Sequence, residues 1–250
     1  MEDAVTDAAT NAAHDVGAPG DPILVAIDGP AGSGKSSVSR ASADRLGFGI
    51  LDTGAAYRAL AWIALQAGVD LDTEAAVVQL MDAWAFSITM RGEQRVTVGL
   101  AGAEPIDATA AIREHSVSGQ VSRVSKHPVV RERLNEMFRE LVAASGLPGV
   151  VIEGRDITTV VAPDAPVRIL MTASAEARAS RRAGELEGLS HAQVLADIAA
   201  RDAKDALVVD FFNPAPGVTL VDTSDLNFEQ SVQTVIDIVE AVRLPAGKSE

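Results

Sequence analysis

Gly29-Pro30-Ala31-Gly32-Ser33-Gly34-Lys35-Ser36 is a complete G-x-x-x-x-G-K-[ST] stretch. The pattern carries a mechanism: its glycines let backbone N–H groups turn inward around a polyphosphate, its lysine reaches the β and γ phosphates, and its hydroxyl residue is placed to ligate Mg²⁺. The flanks agree with it. Ile23-Leu24-Val25-Ala26-Ile27 is a short apolar run of the kind buried in a parallel sheet. Residues 37–46 follow with helical spacing (Val38, Ala41, Leu46), and Gly47 supplies a stop. Strand, glycine loop and helix N-terminus together form an anion-binding arrangement.

Outward from this stretch, short apolar strands alternate with helical segments. Residues 48–52, 150–152, 167–171 and 218–222 read as strands, and 53–66, 72–84, 111–145, 175–182, 190–205 and 227–242 as helices, with a break near His127-Pro128. This order predicts an α/β fold of three layers, a parallel sheet between helices. The middle departs from it. Residues 86–90 and 95–100 alternate apolar and polar around Arg91-Gly92-Glu93, a hairpin signal, and 104–106 adds a third edge strand. Residues 1–21, rich in Ala, Asp, Gly and Thr, read as a disordered acidic tail ahead of a single domain at 22–250. There is no internal repeat.

Composition sets further bounds. The 250 residues are 47% hydrophobic, enough for a large core. The absence of cysteine rules out disulfides and thiolate metal sites. No run of eighteen apolar residues exists, and the acidic start Met1-Glu2-Asp3 does not resemble a secretory signal, so a cytoplasmic protein with no membrane partner is expected. A formal charge of −14 argues against nonspecific nucleic-acid binding but not against a phosphorylated small substrate, because a few arginines in one cleft create a local positive field. No heptad run or interface patch points beyond a monomer.

The second site decides the chemistry. Asp52-Thr53-Gly54-Ala55-Ala56-Tyr57-Arg58 follows the second strand, where open α/β sheets place ligands, and the planar guanidinium of Arg58 suits a phosphate. Taken alone, Arg58 reads first as a solvated surface residue. Glu153-Gly154-Arg155-Asp156 follows an apolar strand directly. Its glutamate is a water or Mg²⁺ anchor beside a phosphate loop, or equally a plain strand end with a solvated Arg-Asp pair. Arg178, Arg181 and Arg182 share a helix face, with Arg201 and Lys204 further on; such a stripe is a phosphate-contacting lid or a solvated surface in equal measure. Arg123 and Arg131, taken alone, read as surface residues. The histidines make no metal-ligand spacing, and Trp62, Trp84 and the phenylalanines read as core.

In combination, Ile27 to Ser36, Leu51-Asp52-Thr53-Gly54-Ala55-Ala56-Tyr57-Arg58, Glu153-Gly154-Arg155-Asp156 with Val160-Val161-Ala162-Pro163-Asp164-Ala165, and Arg201-Asp202-Ala203-Lys204-Asp205 resemble the bacterial cytidylate kinase family, from about residue 23 to 242. The resemblance implies ATP-dependent phosphorylation of CMP and dCMP in a P-loop fold, with an acceptor-binding region and β insert at about 53–145 and a short lid at about 175–205. It implies Gly29, Pro30, Ala31, Gly32, Ser33, Gly34, Lys35, Ser36 and Ser37 as the ATP-binding set, with Ser36 on Mg²⁺. Thr53, Tyr57, Arg58, Ser122, Arg131, Arg155, Asp156, Arg201 and Asp205 are implied around CMP: Arg58 on its phosphate, Ser122 and Arg131 on the base, Asp156 and Asp205 on the ribose. Lys35, Arg155 and Arg201 would be catalytic, and Arg178 and Arg182 would contact phosphates from the lid. The family usually shows an arginine shortly after the position of Asp205, where this chain reads Ala206-Leu207-Val208-Val209-Asp210. Rival readings are a kinase for another small acceptor, a GTPase-type switch, which would need an N-K-x-D stretch that is missing, and a catalytically silent nucleotide-binding module.

Overall fold

The computed structural model describes residues 22–183, 191–207, 210 and 213–243, without the side chains of 182, 183, 191, 201, 204 and 205. The tail at 1–21 lies outside the described residues. The first strand, β1 (Ile23–Asp28), enters the glycine loop, and α1 (Lys35–Leu46) leaves it. Gly47 adopts a left-handed conformation and caps α1 by donating to Ala43 O and Asp44 O, as its position at the end of the helical pattern predicts. Next come β2 (Gly49–Asp52), α2 (Thr53–Gln66) and α3 (Glu74–Met81).

A small antiparallel sheet follows, built from β3 (Trp84–Ile88), β4 (Val96–Leu100) and β5 (Ile106–Asp107) in that order. Trp84 therefore begins a strand and does not end the preceding helix, which stops at Met81. The segment at 111–145 is more broken than its pattern predicts. It divides into a 3-10 turn (Ala111–Arg113), α4 (His115–Ser118), α5 (Val121–Ser125) and α6 (Pro128–Ala143). Pro128 sits in the first turn of α6, where its missing N–H costs nothing.

The remaining elements are β6 (Gly149–Gly154), a π-helical turn (Ile157–Val161), β7 (Val167–Thr172), α7 (Ala175–Ala183), α8 (His191–Asp205), β8 (Thr219–Asp222) and α9 (Phe228–Arg243). The central sheet has the order β2-β6-β1-β7-β8 and all its pairs are parallel. Its faces alternate residue by residue. Ala26, Leu51, Val150 and Ile152 join the layer packed with Leu60, Leu134 and Phe138, whereas Val25, Ile27, Ile50 and Val151 face Val38, Val232, Val235 and Val239. Both faces being buried explains why these strands read as continuous apolar runs. Phe228 is an exception to the aromatic core reading; it is about half exposed at the start of α9.

The order places β1 between β6 and β7, so the loops leaving β1, β2 and β6 open at the same edge of the sheet. That edge carries every candidate motif quoted above from residues 29–58 and 153–156, because ligands of open α/β sheets bind at the carboxyl ends of strands.

Candidate functional site

The loop between β1 and α1 is wound as its glycines require. Gly32 and Gly34 have φ of 77° and 87°, a left-handed region costly for other residues. Val38 N donates to Gly34 O at 2.9 Å, which starts α1 directly after the loop. Ser33 turns inward, donating to Pro30 O at 3.1 Å, so this buried hydroxyl braces the loop. Lys35 is buried at the first position of α1, 3.9 Å from Glu153 Oε2, and Ser36 Oγ donates to Glu153 Oε1 at 2.7 Å.

Glu153 is the penultimate residue of β6 and pairs in register with Asp52 at the end of β2. Burial pushes its carboxyl above the usual range, the negative charge of Asp52 adds to this, and Lys35 and the Ser36 hydroxyl oppose it. Asp52 has two further tasks: it caps α2 by accepting from Ala55 N at 2.9 Å, and it pairs with Arg58 Nη2 at 2.8 Å. Thr53 Oγ1 donates to Glu153 O at 2.8 Å, fastening the start of α2 to the end of β6.

Beyond Gly154, Arg155 Nη1 donates to Gly29 O at 2.8 Å and Asp156 accepts from Arg131 Nη2 at 2.5 Å. Burial raises the carboxyl of Asp156, opposed by Arg131. The Tyr57 hydroxyl, also buried and close to the Asp156 charge, is shifted upward. Ser122 lies on α5, and Arg131 in the first turn of α6. Those elements are tied to the α2–α3 loop by Arg123 and Lys126 on Asp72, at 2.5 and 2.6 Å, and by His127 Nε2, 2.8 Å from Leu71 O.

One cavity of about 620 Å³ collects these groups, within the roughly 300–1,000 Å³ usual for small-molecule sites. Ala31, Gly32, Lys35 and Ser36 border it on the loop side. Thr53, Tyr57 and Arg58 border it on α2, Ser122 on α5, Arg131 on α6, and Arg155 and Asp156 just after β6. The pattern did not single out Ser118, Ser125, Lys126 and Leu207, which also line it. Gly29, Pro30, Gly34 and Ser37 belong to the loop and first helical turn but do not border this cavity.

The basic residues of α7 and α8 divide. Arg178 is buried, 3.1 Å from Ala31 O and 2.5 Å from Asp202 Oδ2. Arg181 donates to Ser33 O at 3.1 Å and to Thr223 O at 2.5 Å. Both therefore hold the backbone of the phosphate loop. The side chains of Arg182, Arg201 and Asp205 lie outside the described residues, as do Val208 and Val209.

Chemically the site offers a glycine loop with a lysine and a hydroxyl, the guanidinium groups of Arg58, Arg131 and Arg155, and the carboxylates of Asp52, Glu153 and Asp156. Such an arrangement suits phosphoryl transfer between bound substrates, which needs no nucleophile from the protein and depends mainly on alignment and charge stabilisation.

The sequence model of the family described as "Cytidylate kinase" matches residues 25–241. Among curated proteins, the chain is 43% identical over 223 residues to "Cytidylate kinase" of Mycolicibacterium paratuberculosis, covering 87% of this chain and 95% of the relative. It is 42% identical over 221 residues to that of Cutibacterium acnes, covering 87% and 96%. With that of Streptomyces avermitilis the identity is 40% over 228 residues, covering 88% and 94%.

Proposed function

The chain belongs to the cytidylate kinase family, and on that premise we propose that it transfers the γ-phosphoryl group of ATP to CMP or dCMP, giving ADP and CDP or dCDP. An oxygen of the acceptor phosphate attacks the γ phosphorus as the bond to the β–γ bridging oxygen breaks. The observation that carries this reading is that one cavity is lined both by the phosphate loop and by Ser122, Arg131 and Asp156. In this reading a donor polyphosphate and an acceptor monophosphate meet there.

In this reading the loop amides and Lys35 hold the β and γ phosphates. Arg58 and Arg155 hold the acceptor phosphate in line, and Arg201 approaches from α8. Ser122 and Arg131 read the base, Asp156 and Asp205 take the ribose, and Tyr57 walls the pocket. The helices α7 and α8 act as a lid that excludes water, which otherwise competes as acceptor.

Among the described residues, no group of three His, Asp or Glu side chains converges as a metal cage. Ser36 with the neighbouring carboxylates of Asp52 and Glu153, the latter raised by burial and then by the Asp52 charge, fits a divalent ion that arrives on the nucleotide with part of its water shell. Mg²⁺ bound there would neutralise charge developing on the β and γ oxygens.

The test is a panel: purified protein, ATP and Mg²⁺, with CMP, dCMP, UMP, AMP and GMP offered separately and ADP release followed. Turnover with CMP and dCMP above the others supports the proposal. Preference for another monophosphate moves the acceptor, and no turnover with any overturns it.

A further inference from the structure

Asp28 is the last residue of β1 and directly precedes the phosphate loop, yet it takes no part in the chemistry above. Its side chain is almost fully buried at 3% exposure. One carboxylate oxygen accepts from Ile157 N at 2.7 Å; the other accepts from Thr158 N at 2.8 Å and Thr158 Oγ1 at 2.7 Å. Ile157 and Thr158 open the π-helical turn that follows Asp156. The turn is gripped at its other end as well, since Arg139 donates to Val160 O at 2.9 Å and Val161 O at 3.0 Å.

The tie runs in both directions. Strands β1 and β6 are in register at Asp28 and Gly154, so the two loops leave the sheet side by side. Asp28 then reaches across to Ile157 and Thr158, while Arg155 reaches back to Gly29 O at 2.8 Å. Arg155 and Asp156 lie between these attachment points. Their backbone therefore has one placement relative to the donor loop, and Asp156 in turn holds Arg131.

We infer that Asp28 is a positioning residue that locks the acceptor-side pair Arg155 and Asp156 onto the donor phosphate loop and so sets the distance between the two substrates. The inference rests on the reading given under Proposed function. The residue type follows from the geometry. Donors converge on both oxygens, so two acceptors are needed, and only a carboxylate supplies two. An asparagine would turn its NH₂ toward at least one donor. Burying a carboxylate is costly, and here backbone and hydroxyl donors offset that cost in a way no apolar residue could. The amides at the start of the turn also gain from a negative charge beside them.

Asp28→Asn tests this, with Thr158→Val, which removes one of the bonds, and Thr158→Ser, which keeps the hydroxyl. Steady-state kinetics are measured for donor and acceptor separately, alongside thermal unfolding. For Asp28→Asn, kcat/KM for the acceptor should fall roughly a hundredfold, the loss associated with misplacement of about 1 Å, while KM for ATP changes less than about threefold. Thr158→Val should lose about fivefold on the acceptor side only, and Thr158→Ser should recover most of it. Equal rises in KM for ATP and for the acceptor, or full activity per folded molecule with only a lowered Tm, would overturn the inference. If Asp28→Asn does not fold, the Thr158 pair decides by the same criteria. The wild-type panel judges the proposed reaction; the ratio of variant to wild type, on whichever monophosphate the wild type prefers, judges Asp28.

Discussion

Arg178 Nη1 lies 2.5 Å from Asp202 Oδ2 and 3.1 Å from Ala31 O, so one buried guanidinium bolts α7 to α8 and to the phosphate loop. The basic face of α7 invites a reading as a row of ligand contacts, but this member of it is engaged within the protein. Asp202→Ala leaves that arginine buried without its carboxylate. Urea unfolding should show a loss of about 3–5 kcal/mol, and Arg178→Met with Asp202→Leu should regain most of it. An Asp202→Ala protein as stable as wild type would show that the pair holds nothing together.

Glu153 faces Ser36, Lys35 and Asp52 at once. A glutamine in its place keeps an acceptor for Ser36 but removes the charge, and turnover should fall by about an order of magnitude or more if that charge serves the transfer. Stability should move with pH. Because the folded-state pKa is raised above its ordinary 4.5, the native protein binds more protons than the unfolded chain between the two values, so wild-type stability falls as pH rises through that window. Glu153→Gln lacks this slope. Its stability relative to wild type should increase as pH rises from about 4.5, in a series of melting curves. A pH-independent gap would mean that Glu153 is not shifted.

Arg58 is held ready by Asp52 at 2.8 Å. Arg58→Ala should raise KM for the acceptor at least about tenfold, as expected for a lost charge-assisted phosphate contact, and leave KM for ATP nearly unchanged. Asp52→Asn should raise KM for the acceptor less, because the guanidinium loses its orientation and keeps its charge, and should also raise the Mg²⁺ requirement, because Asp52 is one of the two carboxylates proposed beside the ion. Parallel increases for both substrates would contradict the assignment of Arg58 to the acceptor.

The glycine loop, the parallel sheet and the antiparallel insert were legible because their signals are local: glycine spacing, buried runs and two-residue alternation around Gly92. The π-helical turn after Asp156 was not. It exists because Asp28 and Arg139, far away in sequence, grip its two ends. The division of 111–127 into short helices was hidden for a related reason, since contacts such as Arg123 to Asp72 and His127 to Leu71 hold segments too short to persist alone. For Glu153 the apolar run before it left an anchor and a plain strand end equally open, and the contacts of Arg178 and Arg181 with the loop backbone depend on packing that spacing does not encode.

Gly154 separates Glu153 from Arg155 where three chain segments meet. A Cβ there would lie 2.6 Å from Thr53 Oγ1 and 2.7 Å from Ile157 Cδ1. Both neighbours are fixed, Thr53 by its bond to Glu153 O and Ile157 by burial and its bond to Asp28. Gly154→Ala should therefore cost about 1–3 kcal/mol, the usual range for overpacking, and reduce turnover by more than its effect on stability accounts for. Wild-type stability and activity in this variant would mean that the strand end shifts freely.

Asp72 connects acid stability to the acceptor pocket. It receives Arg123 and Lys126, which hold its carboxyl well below the ordinary 3.8, at about 2. A depressed folded-state pKa contributes stability that is complete above 3.8 and is lost as pH falls toward about 2. Asp72→Asn should therefore melt below wild type from neutral pH down to about 4, and the two curves should converge by about pH 2. The pair is exposed, so added salt should narrow the gap at neutral pH. Because Arg123 and Lys126 lie between Ser122 and Arg131, which both line the cavity, the same substitution should raise KM for the acceptor modestly, without changing KM for ATP. A salt-insensitive gap that persists at pH 2 would instead assign the effect to packing of the α2–α3 loop.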